Sequence, residues 1–316
     1  MVSVRSALAV VLLVLAPAAF AAGANAKAVQ FLDKSNIDFP KAIGPYTLVS
    51  SSYDPRQFAD GVSTEYSLAG APEDTHLNVY IYPRGRADET TAVQADIAEV
   101  EAAIREVVAR DTYTDLRVGA RSDFVVARPE PAVLADSSKK KPGDTSGIKP
   151  EFSLEPSEDN KDDPILRALI ESMPPANSHG MRQSFAFSHK SVPMRSMGYV
   201  FYRNLFMFKV RVSLPEASIS QAEFETLADT AARTLVPAMY VKNFGTCGAL
   251  VVELPEQGSA GGDAADSENV AALVREIARV NRENCASNEG DKPSGPAEGF
   301  ERQVIEYPPD AWKQDS

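Results

Sequence analysis

Histidines are the side chains best suited to acid–base or metal chemistry near neutral pH. This chain has three, His76, His179 and His189. A zinc site needs three or four converging ligands, and no two of these histidines have the spacing of a ligand pair. A Ser-His-Asp triad is assembled in space, so an exported hydrolase stays open as an alternative, although nothing in the sequence selects a nucleophile. We therefore assign no catalytic residue and no metal ligand.

Three further segments have a composition found in ligand-binding sites, one rich in glycine, one acidic and one basic. Each is better explained as a solvated loop. Gly258–Gly262 lacks the Lys and Ser/Thr of a phosphate loop, which favours a flexible connection. The acidic run Glu158–Asp163 lacks the Gly and distal Glu of an EF-hand, so weak ion screening is favoured over a calcium site. The basic run Lys139–Lys141 is surrounded by acids, which argues against a polyanion site. No cofactor is expected.

One predicted surface combines aromatic and basic side chains. Tyr80 and Tyr82 alternate with apolar residues in one predicted strand, and Met207, Lys209 and Arg211 do so in another. If these strands are neighbours, the five residues form a mixed face suited to a partner or an anionic ligand. The alternative is that a helix covers the aromatic side chains and leaves the charged groups at its rim.

The acidity of the chain narrows the choice of partners. The formal net charge is −12, and removal of Arg5 with the predicted export signal makes it −12 − 1 = −13. Nucleic acid and anionic membranes bind clustered Lys and Arg, so neither is expected as a partner. The composition, 44% hydrophobic and 8% aromatic, is that of a folded globular protein.

The first 26 residues predict export. A short basic region, Met1–Arg5, precedes the apolar run Ala7–Leu15, and cleavage is expected after Ala21 or Ala26. The apolar run is shorter than the about 20 residues of a membrane span, so we expect a periplasmic or secreted protein. In that compartment Cys247 and Cys285 are expected to form a disulfide. Two buried free thiols are the alternative.

The elements that must position these residues follow from hydrophobic periodicity. A three-strand meander is predicted, then a helix with an apolar stripe, then a further strand. Their ranges are Tyr46–Tyr53, Val62–Leu68, Leu77–Tyr82, Glu89–Ala109 and Leu116–Arg128. The runs Ser137–Gly147 and Glu155–Asp163 contain almost no apolar side chains, which predicts a disordered polar insertion over residues 129–163.

The second folded part is predicted over residues 164–287, followed by a Gly/Pro-rich tail over 288–316. A capping box at Ser220 and Glu223 begins one helix, which ends at Pro237. The last helix is expected to bury Val270, Leu273, Val274 and Ile277. The other predicted elements are Ile165–Met173, Met181–Ser188, Met197–Tyr202, Leu205–Leu214, Ala249–Leu254, Ser267–Asn284 and Arg302–Tyr307.

These patterns predict an α+β fold, a mainly antiparallel sheet with helices packed on it. The segments Gly61–Tyr66, Val79–Pro83 and Phe208–Ser213 resemble those of uncharacterised exported bacterial proteins, and the element order is similar to the PsbP-like α/β sandwich. That resemblance covers about residues 40–255 and implies a role in binding or assisting partner proteins. The long charged insertion and the C-terminal cysteine-linked helix depart from it.

The function expected from the sequence is that of an exported, soluble, non-enzymatic protein that binds a partner or assists in the cell envelope. The alternatives are the hydrolase described above and a module that binds a small ligand. The partner is an unidentified protein or small molecule.

Overall fold

The structure is a computed structural model that describes residues 31–72, 74–127, 164–172, 177–251, 263–290 and 295–308. The predicted export signal, the insertion at 129–163 and the Gly258–Gly262 loop lie outside these residues. Within the described ranges no helix has both the length and the apolar character needed to cross a membrane.

A large antiparallel sheet joins the two predicted folded parts. Its eight strands lie in the order β2-β3-β4-β5-β9-β8-β7-β6. The strands are β2 (Ala42–Ile43), β3 (Tyr46–Ser52), β4 (Val62–Leu68), β5 (His76–Pro83), β6 (Tyr113–Ala127), β7 (Asn177–His189), β8 (Val192–Arg203) and β9 (Phe206–Pro215). The predicted meander is therefore confirmed as β3–β4–β5. The pairing of β5 with β9 makes one continuous sheet of both parts.

A smaller, four-stranded sheet, in the order β11-β10-β1-β12, was not predicted as a unit. It contains β1 (Lys34–Pro40), β10 (Tyr240–Phe244), β11 (Cys285–Ala286) and β12 (Phe300–Glu306). Strand β1 pairs antiparallel with both β10 and β12, which places residues 34–40 beside residues 300–306. The strand expected in the C-terminal tail is confirmed as β12, whereas the strand expected at Ala249–Leu254 is not formed over residues 249–251.

Helices lie on both faces of the large sheet because its strands are apolar on both faces. In β8, Tyr199 and Phe201 belong to the core beneath helix α3 (Gln221–Ala238), and Val200 belongs to the core beneath helix α1 (Glu89–Ala109). The four-stranded sheet adds Ile37 and Val241 to the α3 core. This arrangement confirms the α+β class.

Two features position helix α1 on the sheet, its stripe of apolar side chains and the carboxylate of Glu101. Val93, Ile97, Val100 and Ile104 are buried, as their spacing predicts. Glu101 accepts hydrogen bonds from Arg105 of the same helix, Arg121 of β6 and Gln183 of β7. These bonds lower the pKa of Glu101 to about 2, since each one favours the ionised carboxylate.

Helix α3 begins with the predicted capping box, formed by Ser220 and Glu223. At its other end the buried Arg203 guanidinium donates to the carbonyl oxygens of Val236 (3.0 Å) and Met239 (2.6 Å). Those bonds satisfy carbonyl groups that a helix end leaves without an intrahelical partner, and a cation suits the negative end of the helix dipole.

The last helix, α4 (Asp263–Arg282), packs on α2 (Pro164–Ser172) and corrects one prediction. The side chains of Val270, Leu273 and Ile277 are 44%, 39% and 42% exposed, and the buried positions are Ala271 and Ala278. The sequence shows which residues of α4 form an apolar stripe. Which face of the helix is buried depends on how α4 is attached to the rest of the fold. That attachment lies at the C-terminal end of α4, beside Cys285.

Candidate functional site

The structure brings together the five residues of the predicted aromatic and basic face. Because β5 and β9 pair antiparallel, Tyr80 lies opposite Lys209 and Tyr82 lies opposite Met207. We call Tyr80, Tyr82, Met207, Lys209 and Arg211 the basic–aromatic surface. The surface has features of both arrangements considered above, an exposed mixed face and a face partly covered by a helix. Met207 is fully buried in the α1 core, whereas Tyr80, Lys209 and Arg211 remain partly exposed beside the helix.

Lys209 is positioned by aromatic rings. Its Nζ lies 4.8 Å from the ring centroid of Tyr80 and 5.4 Å from that of Tyr82, within the range of cation–π attraction. Among the described residues the ammonium forms no hydrogen bond and no ion pair within 4 Å. Burial lowers the pKa of Lys209, and the nearby carboxylates of Asp96, Glu99 and Asp60 oppose this effect.

Asp96 of α1 is a central residue that the sequence analysis missed. The hydroxyl of Tyr82 donates to both oxygens of its fully buried carboxylate, at 2.6 and 2.5 Å. Burial raises the pKa of Asp96, although the Tyr82 hydrogen bond acts in the opposite direction. The available signal was an acid within the apolar stripe of α1, adjacent to Ile97.

Arg211 is held by hydroxyl groups and aromatic rings. Its Nε donates to Ser196 Oγ at 3.3 Å, and its Nη2 donates to Tyr113 Oη at 3.4 Å. The guanidinium carbon lies 5.8 Å from the ring centroids of Tyr113 and Phe187. Tyr113 and Phe187 have no local sequence connection to this surface, because their strands reach it only through the β8 and β7 pairings.

Asp60 adds an acidic group near Lys209. It ends the short 3-10 helix Pro55–Asp60, which precedes β4. Burial raises the pKa of Asp60, and the positive charge of Lys209 opposes that shift. Its Oδ2 is buried and has no hydrogen-bond partner in the structure. The region around Lys209 therefore contains carboxylates, but none is in direct contact with its ammonium.

A separate cleft of about 230 Å³ lies between strands β6–β8 and the start of α3. Apolar side chains line its floor, and the ion pair between Arg117 and Glu216, at 3.0 Å, lies at its edge. This volume is below the about 300 Å³ at which pockets for drug-sized ligands begin. The cleft therefore does not favour the small-ligand alternative.

The histidines are not brought into a catalytic arrangement. His189 packs edge-on against Tyr113 at 5.5 Å between ring centroids, and burial lowers its pKa. None of the three histidines forms a side-chain hydrogen bond with another described residue. No group of three or more metal-ligating side chains occurs in the part of the chain that the structure describes. Within the described residues, the contacts of the histidines give the hydrolase alternative no support.

The predicted Cys247–Cys285 disulfide is confirmed, with 5.9 Å between the two Cα atoms. It connects the turn after β10 to β11, directly after α4. Arg279 of α4 supports the same junction by donating to the carbonyl oxygens of Cys247 and Ala249, both at 3.0 Å. Both sulfur-bearing residues are buried, as expected for a structural bond.

Two comparisons with known proteins found no match. No protein-family model matches the chain, and no curated protein is significantly similar to it.

Proposed function

We propose that this chain is an exported, non-enzymatic binding protein whose basic–aromatic surface receives a carboxylate-bearing segment of a partner protein. Export is supported by the sequence of the first 26 residues and by the disulfide, since such bonds persist in oxidising compartments. A PsbP-like relationship is part of the same proposal, supported by the antiparallel sheet with helices on both faces.

The observation that carries this proposal is how Lys209 and Arg211 are held. Other partly buried arginines contact carboxylates directly, as Arg182 does with Asp229 at 2.6 Å and Arg279 with Glu283 at 2.7 Å. Lys209 and Arg211 instead rest on aromatic rings and hydroxyl groups. A cation that has lost hydration without gaining an ion pair gains free energy when an anion binds.

The net charge does not prevent an acidic ligand from binding here. The whole chain repels anions at long range, but at physiological ionic strength this repulsion is screened beyond about 8 Å. Lys209 and Arg211 lie two residues apart on the same face of β9, so their side chains start about 7 Å apart. An extended segment with acidic side chains can reach both cations, and Tyr80 lies beside them.

The direct test is binding of a defined acidic probe. We would use fluorescence anisotropy with a fluorescein-labelled peptide of five Glu-Ala repeats, and the same peptide with Gln for Glu. The protein would be the chain from Lys27 onward. We expect saturable binding of the acidic peptide only, weakened about tenfold by Lys209→Met or Arg211→Met, because each removes one charge-assisted contact.

Lys190→Met is the matched control, since it removes an exposed lysine at the turn between β7 and β8. It should leave the affinity unchanged. The proposal fails if neither peptide binds, or if Lys190→Met weakens binding as much as Lys209→Met does. Thermal unfolding of each variant establishes that a loss of affinity is not a loss of folding.

A further inference from the structure

We propose that Lys209 is also a modification site, an amine that accepts an acyl group from an activated donor with an anionic leaving group. Acylation would convert the cation into a neutral amide and so remove a carboxylate-binding charge from the basic–aromatic surface. The modification chemistry stands on the geometry of Lys209, whereas its effect on binding rests on the function proposed above.

The geometry leaves the amine free to react. The Nζ lies against the faces of Tyr80 and Tyr82, which restrict its motion without donating to it or accepting from it. The buried carboxylate of Asp96, whose charge acts on Lys209, is occupied by the Tyr82 hydroxyl. Lys34 differs from Lys209, because its ammonium forms an ion pair with Glu289. An ion-paired ammonium retains its proton and has no lone pair for attack.

The charges around Lys209 support this reactivity. Burial and the neighbouring Arg211 both favour the neutral amine and lower the pKa of Lys209, against the opposing effect of Asp96, Glu99 and Asp60. The lowered pKa places more of the side chain in the nucleophilic form at neutral pH. The residue as a whole is partly exposed.

An acyl phosphate represents the donor class. The lone pair of the neutral amine attacks the acyl carbon, the bond from that carbon to the phosphate oxygen breaks, and inorganic phosphate leaves with the electron pair. The amine proton passes to solvent, and the products are an amide and phosphate. Arg211, two residues along the same face, attracts the phosphate through charge-assisted hydrogen bonds.

The test is the site and pH dependence of acetylation. The protein from Lys27 onward is treated with acetyl phosphate over a range of pH, and each lysine is followed by peptide mass spectrometry. We expect the rate for Lys209 to reach half its maximum at a lower pH than the rate for exposed Lys190. The proposal is wrong if Lys209 is not labelled, or if the two lysines show the same pH profile.

Two variants separate the role of Arg211 from general reactivity. Arg211→Met should slow acetylation of Lys209 by acetyl phosphate about tenfold, since it removes the contact to the phosphate. Because Arg211 also lowers the pKa of Lys209, both rates are compared at a pH where Lys209 is deprotonated in the native protein and the variant alike. There the rate with the neutral donor p-nitrophenyl acetate should change little. Equal slowing with both donors would contradict a role for Arg211 in donor binding. Lys209→Arg keeps the cation and should abolish labelling at this position while the other lysines react as before.

Binding of the Glu-Ala peptide distinguishes this inference from the proposed function. Acetylated protein should bind the peptide about tenfold more weakly, as Lys209→Met does. If Lys209 reacts early but the unmodified protein never binds the peptide, the modification site stands and the proposed function fails. If the peptide binds but Lys209 reacts no earlier than Lys190, the modification proposal alone is refuted.

Discussion

At the residue scale, the basic–aromatic surface depends on the buried carboxylate of Asp96. This carboxylate contacts the hydroxyl of Tyr82 and not a cation. Asp96 accepts both of its side-chain contacts from Tyr82 and is fully buried. Tyr82 connects Asp96 to the surface, because its hydroxyl contacts Asp96 and its ring centroid lies 5.4 Å from the Lys209 Nζ. A change at Asp96 should alter the position of Lys209 without removing any charge from the surface itself.

Substitution of Asp96 should separate the hydrogen bond from the charge. Asp96→Ala leaves the buried Tyr82 hydroxyl without an acceptor, and we expect it to lower the free energy of unfolding by about 1–3 kcal/mol. Asp96→Asn keeps an acceptor oxygen and should cost less. Urea unfolding of both variants measures the difference. Equal losses would show that the Tyr82 contact is not the stabilising feature.

Asp96→Asn should also change how the free energy of unfolding depends on pH. Burial raises the pKa of Asp96 above its ordinary value of 3.8, so the folded state holds the proton more tightly than the unfolded state. The stabilisation from this proton is complete below pH 3.8 and is lost as pH rises through the folded-state pKa. Relative to the native protein, Asp96→Asn should therefore gain stability between acidic and neutral pH. A difference that is constant with pH would contradict the raised pKa.

At the element scale, α4 packs on α2, and its covalent and charged contacts with the rest of the fold are concentrated at one end. The disulfide, the bonds from Arg279 to the carbonyl groups of Cys247 and Ala249, and the ion pairs of Glu283 with Arg86 and Arg279 all lie near its C-terminus. This concentration of contacts explains why the apolar stripe predicted for α4 does not face the sheet. The covalent bond and the polar contacts set the orientation of the helix.

Removal of the disulfide should therefore loosen α4 more than the rest of the molecule. The bonded cysteines are separated by 38 residues, and the chain-entropy model assigns such a bond about 4 kcal/mol. We expect Cys247→Ala with Cys285→Ala to lower stability by this order and to speed amide hydrogen exchange in α4. Exchange in α1 is the internal control. Equal acceleration in both helices would show that the bond acts on the whole fold.

At the scale of the whole molecule, the β5–β9 pairing joins the chain before the insertion to the chain after it. The core beneath α3 also draws residues from both parts, including Tyr66 and Phe208. Neither part can bury its apolar surface without the other. We therefore expect the chain to unfold as one cooperative unit rather than as two domains.

We expect one calorimetric unfolding transition with equal calorimetric and van 't Hoff enthalpies, because a shared sheet and core unfold together. Differential scanning calorimetry of the chain from Lys27 onward measures both enthalpies. Two resolved transitions, or a calorimetric enthalpy well above the van 't Hoff value, would show that the parts are independent.

Local patterns predicted most elements but not their assembly. The ranges Val62–Leu68 and Glu89–Ala109 are as expected from periodicity and capping alone. Strand β1 was missed, because Lys34–Pro40 lacks a clean alternation and is stabilised by pairing with distant strands on both sides. Asp96 was missed for a related reason, since its hydrogen-bond partner is not local in sequence.

The sequence by itself predicted most of the helices and strands, the pairing of the two cysteines, and the alternation of aromatic and basic side chains with apolar ones in two strands. These features depend on local periodicity, on capping and on the small number of cysteines. Only the tertiary structure decided that those two strands are neighbours, that Asp96 engages Tyr82, and that Lys209 and Arg211 lie beside α1 without a carboxylate in contact. Strand pairing brings together residues more than 100 positions apart, and no local pattern specifies which strands pair.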